Sequence, residues 1–330
     1  MIITVLVSYF LTGRIRRYAY AKNMIDTPND RSSHSLPTPR GGGAAIVLVV
    51  FAGLIFSKIA GFMPVSFFAA LGGAGALVAL IGWLDDRRDI PAGFRLAGHF
   101  IAAGWALFWL GGLPSVAILG RTVDLGWAGH ILAVIHLVWL LNLYNFMDGI
   151  DGIAGIEAVT VCFGGVIISI ISGAESALLI VPALLASAST GFLLWNFPKA
   201  RVFMGDVGSG FLGITLGIVC IEAGWAAPEL FWGWLILAGA FVVDATVTLL
   251  RRAVRGEKVY EAHRSHAYQH AALRFGGHAQ VSLAYGAVNL FWLLPMAMVV
   301  TSGLLGGLFG LIIAYAPLTA AVLWLNAGND

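Results

Sequence analysis

Six aspartates stand where apolar runs meet polar sequence. In IGWLDDRRDIPAGFRLAGHF (81–100) an apolar segment ends against Asp85, Asp86 and Asp89. LLNLYNFMDGIDGIAG ends a second run with Asp148 and Asp151, and RVFMGDVGSGFLG opens a third at Asp206. Carboxylates repel one another and are costly beside apolar surroundings, so gathering them calls for a positive partner. Oxygen ligation of a hard cation suits these residues: Mg²⁺ keeps several waters and takes one or two carboxylates together with substrate phosphates. Mn²⁺ is a substitute of the same kind, whereas these stretches hold no soft ligands of the sort zinc or copper would want. A plainer reading of the first stretch has Asp85, Asp86 and Asp89 pairing with Arg87, Arg88 and Arg95 as a solvated loop. Three acidic clusters at run ends weigh against it.

Asn142, Asn145, Asp148 and Asp151 recur every three residues. On a continuous α-helix that spacing drifts by about 60° per step, so the first three share a broad face. Gly149 and Gly152 then loosen the backbone enough for Asp151 to turn back toward it. The amides can ligate a metal or bond a base edge, although an Asn pair can also simply join two helices. Asp206 lies between glycines at an expected helix start, where free N–H groups favour phosphate. PTPRGGG (37–43) likewise precedes an apolar run and brings Arg40 with it. In RRAVRGEKVYEAHRSHAYQHAALRFGGH, His263, Arg264, His266 and His270 sit among basic residues, which suits phosphate or sugar contacts; on one helix, the i, i+3, i+7 histidines would share a face, and metal binding is the rival use. His99 and His136 read as buried hydrogen-bonding residues, and Cys162 and Cys220 as small packing residues. Asp244, inside an apolar run, is a functional candidate on the cost of its position alone.

Composition says which elements hold these residues. Of the 330 residues, 59% are hydrophobic and 11% charged, against about 25% charged in a soluble domain. With a mean hydropathy of +0.88, the chain cannot clothe a water-facing surface. It is expected to be an all-α, polytopic integral membrane bundle of one domain (1–330). Eleven runs approach the roughly 20 residues that cross a bilayer: 1–13, 43–60, 65–84, 96–112, 131–147, 153–172, 175–195, 207–225, 230–250, 284–302 and 304–325. The first has no positive residue ahead and Arg14, Arg16 and Arg17 behind, the reverse of a secretory signal peptide. Seventeen of the nineteen Lys and Arg fall in the loops 14–42, 85–95, 196–206 and 251–283. Basic loops face the cytoplasm, which puts the N-terminus on the periplasmic side, the C-terminus in the cytoplasm and every acidic cluster on the cytoplasmic face. Trp83, Trp127, Trp195 and Trp225, near run ends, read as interfacial anchors.

IGWLDDRRDI, NLYNFMDGIDGIAG, WNFPKARVFMGDVGSGFLG and VDATVTLLRR, in this order, resemble the signatures of the polyprenyl-phosphate N-acetylhexosamine-1-phosphate transferases. That superfamily includes the phospho-MurNAc-pentapeptide translocase and the undecaprenyl-phosphate GlcNAc-1-phosphate transferases. DTPNDRSSHSLPTPRGGG and YEAHRSHAYQH resemble its O-antigen-initiating branch. The resemblance implies transfer of an amino-sugar 1-phosphate from a UDP-N-acetylhexosamine to undecaprenyl phosphate, with release of UMP, in the bacterial inner membrane. It implies that Asp85 and Asp86 are the catalytic acidic pair, that Asp206 ligates Mg²⁺ and that Asn145 shares the ion. It further implies that Asn142, Asp148, Asp151 and Phe203 form the nucleotide pocket, Asp151 near uracil and Phe203 stacking on it. Arg95, His263, Arg264 and His266 are implied for phosphate and sugar, although the family's contiguous histidines appear here as HRSHAYQH. The partners implied are the two substrates and the lipid bilayer, with a homodimer compatible and no nucleic acid. A secondary transporter would favour repeats and midplane charges, whereas no clear internal repeat is seen and the acids gather at the cytoplasmic edge. An intramembrane aspartyl protease needs two aspartates sharing a proton and leaves Asn142, Asn145 and the basic loops unexplained.

Overall fold

The computed structural model describes residues 1–28, 33, 36–88, 90–257 and 263–329, so Asp89 lies outside the described residues. The apolar runs fold as helices: α1 (Ile2–Ala21), α2 (Ala44–Ile59), α3 (Val65–Asp85), α4 (Ala92–Leu110), α5 (Gly126–Met147), α6 (Ile153–Ile171), α7 (Ser176–Asn196) and α8 (Asp206–Ala226). They continue through α9 (Pro228–Leu237), α10 (Gly239–Val254), α11 (Ala267–Phe275), α12 (His278–Val288), a π-helical turn (Asn289–Leu293), α13 (Leu294–Thr301) and α14 (Gly307–Trp324). Two short antiparallel hairpins interrupt them. β1 (Ile25–Asp26) pairs with β2 (Thr38–Pro39), and β3 (Val116–Ile118) with β4 (Arg121–Val123).

All eleven expected runs are helical, but fewer qualify as spans. By length and composition seven can cross a bilayer: α3, α5, α6, α7, α8, the continuous stretch His278–Thr301 and α14. The pair α9–α10 makes an eighth if taken as one span, broken by a bend of 67°. Helix α2 is apolar but has 16 residues, about 24 Å at 1.5 Å per residue, less than the hydrocarbon thickness. Helix α1 runs on past the expected end to Ala21 and so carries its arginines within the helix. There Arg16 lies over the rings of Tyr20 and Trp195, 5.2 and 5.6 Å from their centroids.

Helix α8 is the axis of the bundle, buried almost throughout and packed on α3 and α5. It is enclosed by other helices along almost its whole length, and the glycine-flanked Asp206 begins it at the amino end. The five turns that carry the predicted site residues gather at that end. The hairpin β3–β4 lies at the other, where Trp232 donates to the Ala117 carbonyl at 2.9 Å.

Candidate active site

Asp85 is the last residue of α3, Asp86 caps it, and Asp206 opens α8. The two helices approach closely because Gly82 has no side chain: a Cβ there would lie 2.5 Å from the backbone of Asp206 and Val207. Asp86, 2% exposed, accepts hydrogen bonds from the N–H groups of Asp206 (3.1 Å) and Val207 (3.3 Å). It fills the anion position at the start of α8. Gly205 holds φ +75°, and a Cβ there would stand 2.5 Å from the Asp86 carboxylate. Arg95, in the first turns of α4, pairs with Asp85 and also donates to Asp206 Oδ2 at 3.1 Å. One guanidinium thus serves two carboxylates. Asp85 is further held by the Ile90 N–H at 2.7 Å.

The glycine-rich stretch before α2 docks on the loop before α8. Gly42 and Gly43 N–H donate to the carbonyls of Phe203 and Met204 at 2.9 and 2.8 Å, and Phe203 N–H to Pro39 at 2.8 Å. This pairing brings Arg40 beside the acidic pair, where its Nε donates to the Asp86 carbonyl at 2.9 Å. Helix α5 stops at Met147, and the chain turns through Asp148 to Gly152 before α6. The turn is braced by Asn196, which accepts from Gly152 N–H at 2.9 Å. Asp151 pairs with His278 at 3.3 Å.

A polar cavity of about 400 Å³ joins these parts; Asp86, Asn145, Asp148, Asp151, Phe203 and Asp206 all line it. Burial, then the charge of Asp206, raises the Asp86 carboxyl to about 7. Burial, then the charges of Asp206, Asp86 and Asp151, likewise raises Asp148. Asn145 donates to Ser209 Oγ at 3.2 Å and lies within hydrogen-bond reach of Asp206. Beside this cavity, an apolar one of about 320 Å³ runs between α4, α5 and α10, walled by Leu96, Phe100, Ile135 and Trp139. Asn145 lines both, and Arg95, in the apolar wall, reaches Asp206 of the polar one.

Not every expected residue lines the polar cavity. Asn142 donates to its own helix at Val138 (2.7 Å) and faces the apolar cavity, one turn from Asn145. Asp85 lines neither and connects to the site through Arg95 and through its side-chain contact with Asp206. The histidines do not form one helical face, since α11 begins only at Ala267. His266 is buried against Asp244 (3.4 Å), His263 bonds Ser265 at 3.0 Å, and neither they nor Arg264 line the polar cavity. That loop instead contributes Gln269 and His278. Gln269 was missed; its signal is the position three beyond the α11 cap, where its side chain accepts from His266 N–H at 3.1 Å. His278 carried no signal beyond its type. Asp244 accepts from the N–H groups of Ala267 (2.9 Å) and Tyr268 (3.0 Å) and from Tyr285 hydroxyl (2.6 Å), fixing the start of α11. Cys162 and Cys220 are buried and free.

The family model for Glycosyl transferase family 4 matches residues 67–224, which hold both ends of the α3–α8 junction and the Asp148–Asp151 turn. The chain is 27% identical to a probable undecaprenyl-phosphate N-acetylglucosaminyl 1-phosphate transferase of Bacillus subtilis, over 83% of this chain and 76% of that protein. It is 28% identical to the decaprenyl-phosphate N-acetylglucosaminephosphotransferase of Mycobacterium leprae, over 88% and 82%. With a phospho-N-acetylmuramoyl-pentapeptide-transferase of Chlamydia muridarum the identity is 30%, over 64% of this chain and 68% of the other. The matched segment, these relatives and the ordered acidic motifs agree, and the chain belongs to the polyprenyl-phosphate N-acetylhexosamine-1-phosphate transferase superfamily.

Proposed function

We propose that this protein transfers an N-acetylated amino-sugar 1-phosphate from a UDP-sugar to undecaprenyl phosphate, as the first membrane step of O-antigen or another cell-envelope polysaccharide. The reaction takes place on the cytoplasmic face of the bacterial inner membrane. One observation carries this reading: a polar cavity rich in carboxylates and an apolar one share Asn145 in their walls, and Arg95 of the apolar wall donates to Asp206 of the polar one. A water-soluble donor and a lipid acceptor could meet there and at few other places in a bilayer protein. The acceptor phosphate oxygen attacks the sugar-bearing phosphorus, whose bond to the uridine phosphate breaks, and UMP leaves with the electron pair.

The donor set fits Mg²⁺. Asp206 and Asn145 offer hard oxygens, and a single guanidinium between Asp85 and Asp206 leaves net negative charge. Among the described residues no three acids, histidines or cysteines form a closed cage, and Mg²⁺ needs none where substrate phosphates complete its shell. Asp206 and Asn145 would hold the ion, whose chemistry there is to neutralise charge on the phosphates. Asp86 fixes the start of α8 and with it Asp206; Asp85 orients Arg95 toward the incoming phosphate. A phosphate monoester has a second pKa near 6, so the acceptor is mostly dianionic at neutral pH and no strong general base is required. Catalysis is then chiefly positioning and charge neutralisation. Asp148, Asp151 and Phe203 are assigned to the nucleotide, and Gln269 and His278, which line the same cavity, take the phosphate and sugar contacts expected of His263, Arg264 and His266. Purified protein supplied with undecaprenyl phosphate, Mg²⁺ and a panel of UDP-N-acetylhexosamines is expected to release UMP and form a lipid-linked sugar. No UMP from any of the panel would overturn the proposal.

A further inference from the structure

A second cavity, of about 300 Å³, shares only Arg40 and Asp86 with the catalytic one. It lies where α1 and α3 end, and four cations line it: Lys22, Arg40, Arg87 and Arg88. Among the described residues none of the four forms a salt bridge with a carboxylate. The one acid in the wall, Asp86, is already engaged by two backbone N–H groups. Neutral groups hold two of the cations in place. The Arg87 guanidinium lies 5.1 Å from the Trp83 ring and 5.7 Å from that of Tyr18, and bonds the Tyr18 hydroxyl. Arg40 is tied to the backbone carbonyls of Asp85 and Asp86.

Positive residues at a cytoplasmic interface are ordinary, but here they wall a concavity and two of them are fixed by partners that cancel none of their charge. Guanidinium forks with an ammonium beside them match phosphate geometry and charge. We infer that this basic cavity is a second phosphate-binding site, taking a phosphomonoester dianion beside the transfer site rather than within it. The ligand chemistry has two sources at this depth, a soluble phosphate or the headgroup of a phosphomonoester lipid. The inference goes beyond the transfer reaction and is measured without it.

The test uses the full chain in nanodiscs of zwitterionic lipid, without Mg²⁺, in the Arg95→Gln background so that the transfer site's own guanidinium is gone. Lys22 and Arg88 are exposed and bond only through their backbone N–H groups among the described residues, so Lys22→Gln/Arg88→Gln removes charge without removing support. Melting temperature checks that it does. Equilibrium dialysis with radiolabelled inorganic phosphate is expected to show binding that weakens about tenfold in the double variant, two charge-assisted contacts being lost, and that fades with ionic strength. If inorganic phosphate does not bind, spin-labelled phosphatidic acid in the discs should show an immobilised fraction that the double variant loses; that outcome assigns the site to a lipid headgroup. Retention of both ligands unchanged in the double variant, or of neither in the parent, would overturn the inference. Loss of transfer in Arg95→Gln tests the proposed function separately.

Discussion

Asp206 and Asp86 carry the same functional group in one cavity, yet their surroundings assign them different work. Asp206 keeps its side chain toward the cavity and Arg95, whereas Asp86 is turned into the start of α8. Asp206→Asn keeps shape and removes charge, so transfer is expected to fall by about 10²-fold or more while the melting temperature holds. Wild-type turnover at saturating Mg²⁺ would remove Asp206 as the ion's ligand. For Asp86 the readout is pH. Burial, then the charge of Asp206, lifts its carboxyl from 3.8 to about 7 in the folded protein. The folded state therefore binds the extra proton between those values. Its contribution to stability is fully present below 3.8 and is lost as pH rises through about 7. Metal-free protein should melt at a lower temperature at about pH 8 than at about pH 6, with the difference flattened in Asp86→Asn. An equal slope in both proteins would place its origin elsewhere. If Asp85 and Asp86 organise rather than take a proton, the rates of Asp85→Asn and Asp86→Asn should recover little above about pH 7, where the acceptor has already lost most of its second proton. A steep recovery in UMP release between about pH 7 and 9 would restore a general base.

At the scale of elements, the ends of α3, α5 and α8 were readable because an acid ended or opened each apolar run, and charge does not enter lipid unpaired. The break at Ala238 was not. Residues 230–250 read as one run; Gly239 stands at the bend between α9 and α10, but Gly233 in the same run lies inside α9 without a break, so glycine alone does not mark it. Nor could sequence show that PTPRGGG pairs with the backbone at Phe203 and Met204, since such docking leaves no side-chain pattern. The histidine loop misled for a related reason. His266 resembles a ligand by type, but Asp244 needs a partner inside the bundle and the fold gives it that imidazole together with the start of α11. Asp244 is thus a positioning residue: Tyr268, in the first turn of α11, donates to the Phe146 carbonyl at 3.1 Å, just before the Asp148 turn. Asp244→Ala leaves two buried N–H groups unmet, at about 1–3 kcal/mol each, so the melting temperature should drop. Because α11 carries Gln269, KM for the UDP-sugar should also rise while the Mg²⁺ requirement stays. A lower melting temperature with unchanged KM would show that α11 supports the bundle without setting the pocket.

The whole molecule has two ends, and charge distinguishes them. Arg40, Asp86, Asp148, Phe203 and Gln269 come from five separate connections yet line one cavity, so those connections share a side of the membrane. Four of the five lie in or beside the loops that hold nearly all the Lys and Arg. The C-terminal residues join them, with Arg251 donating to the Ala327 carbonyl at 2.5 Å. At the other end Trp225 donates to Gly112 at 3.2 Å, close to the hairpin that carries Arg121. Positive loops stay cytoplasmic, so the cavity should open inward, toward the pool of nucleotide sugars. The two native cysteines are buried, which makes single added cysteines readable. Thr27, Lys199 and Arg274 are exposed at the cavity end, and Arg121 and Ser302 at the other. Cysteines replacing the first three should react with an impermeant maleimide only after cells are opened, and those replacing the last two in intact cells. Labelling at Lys199 from outside would reverse the orientation, and with it the claim that the donor enters from the cytoplasm.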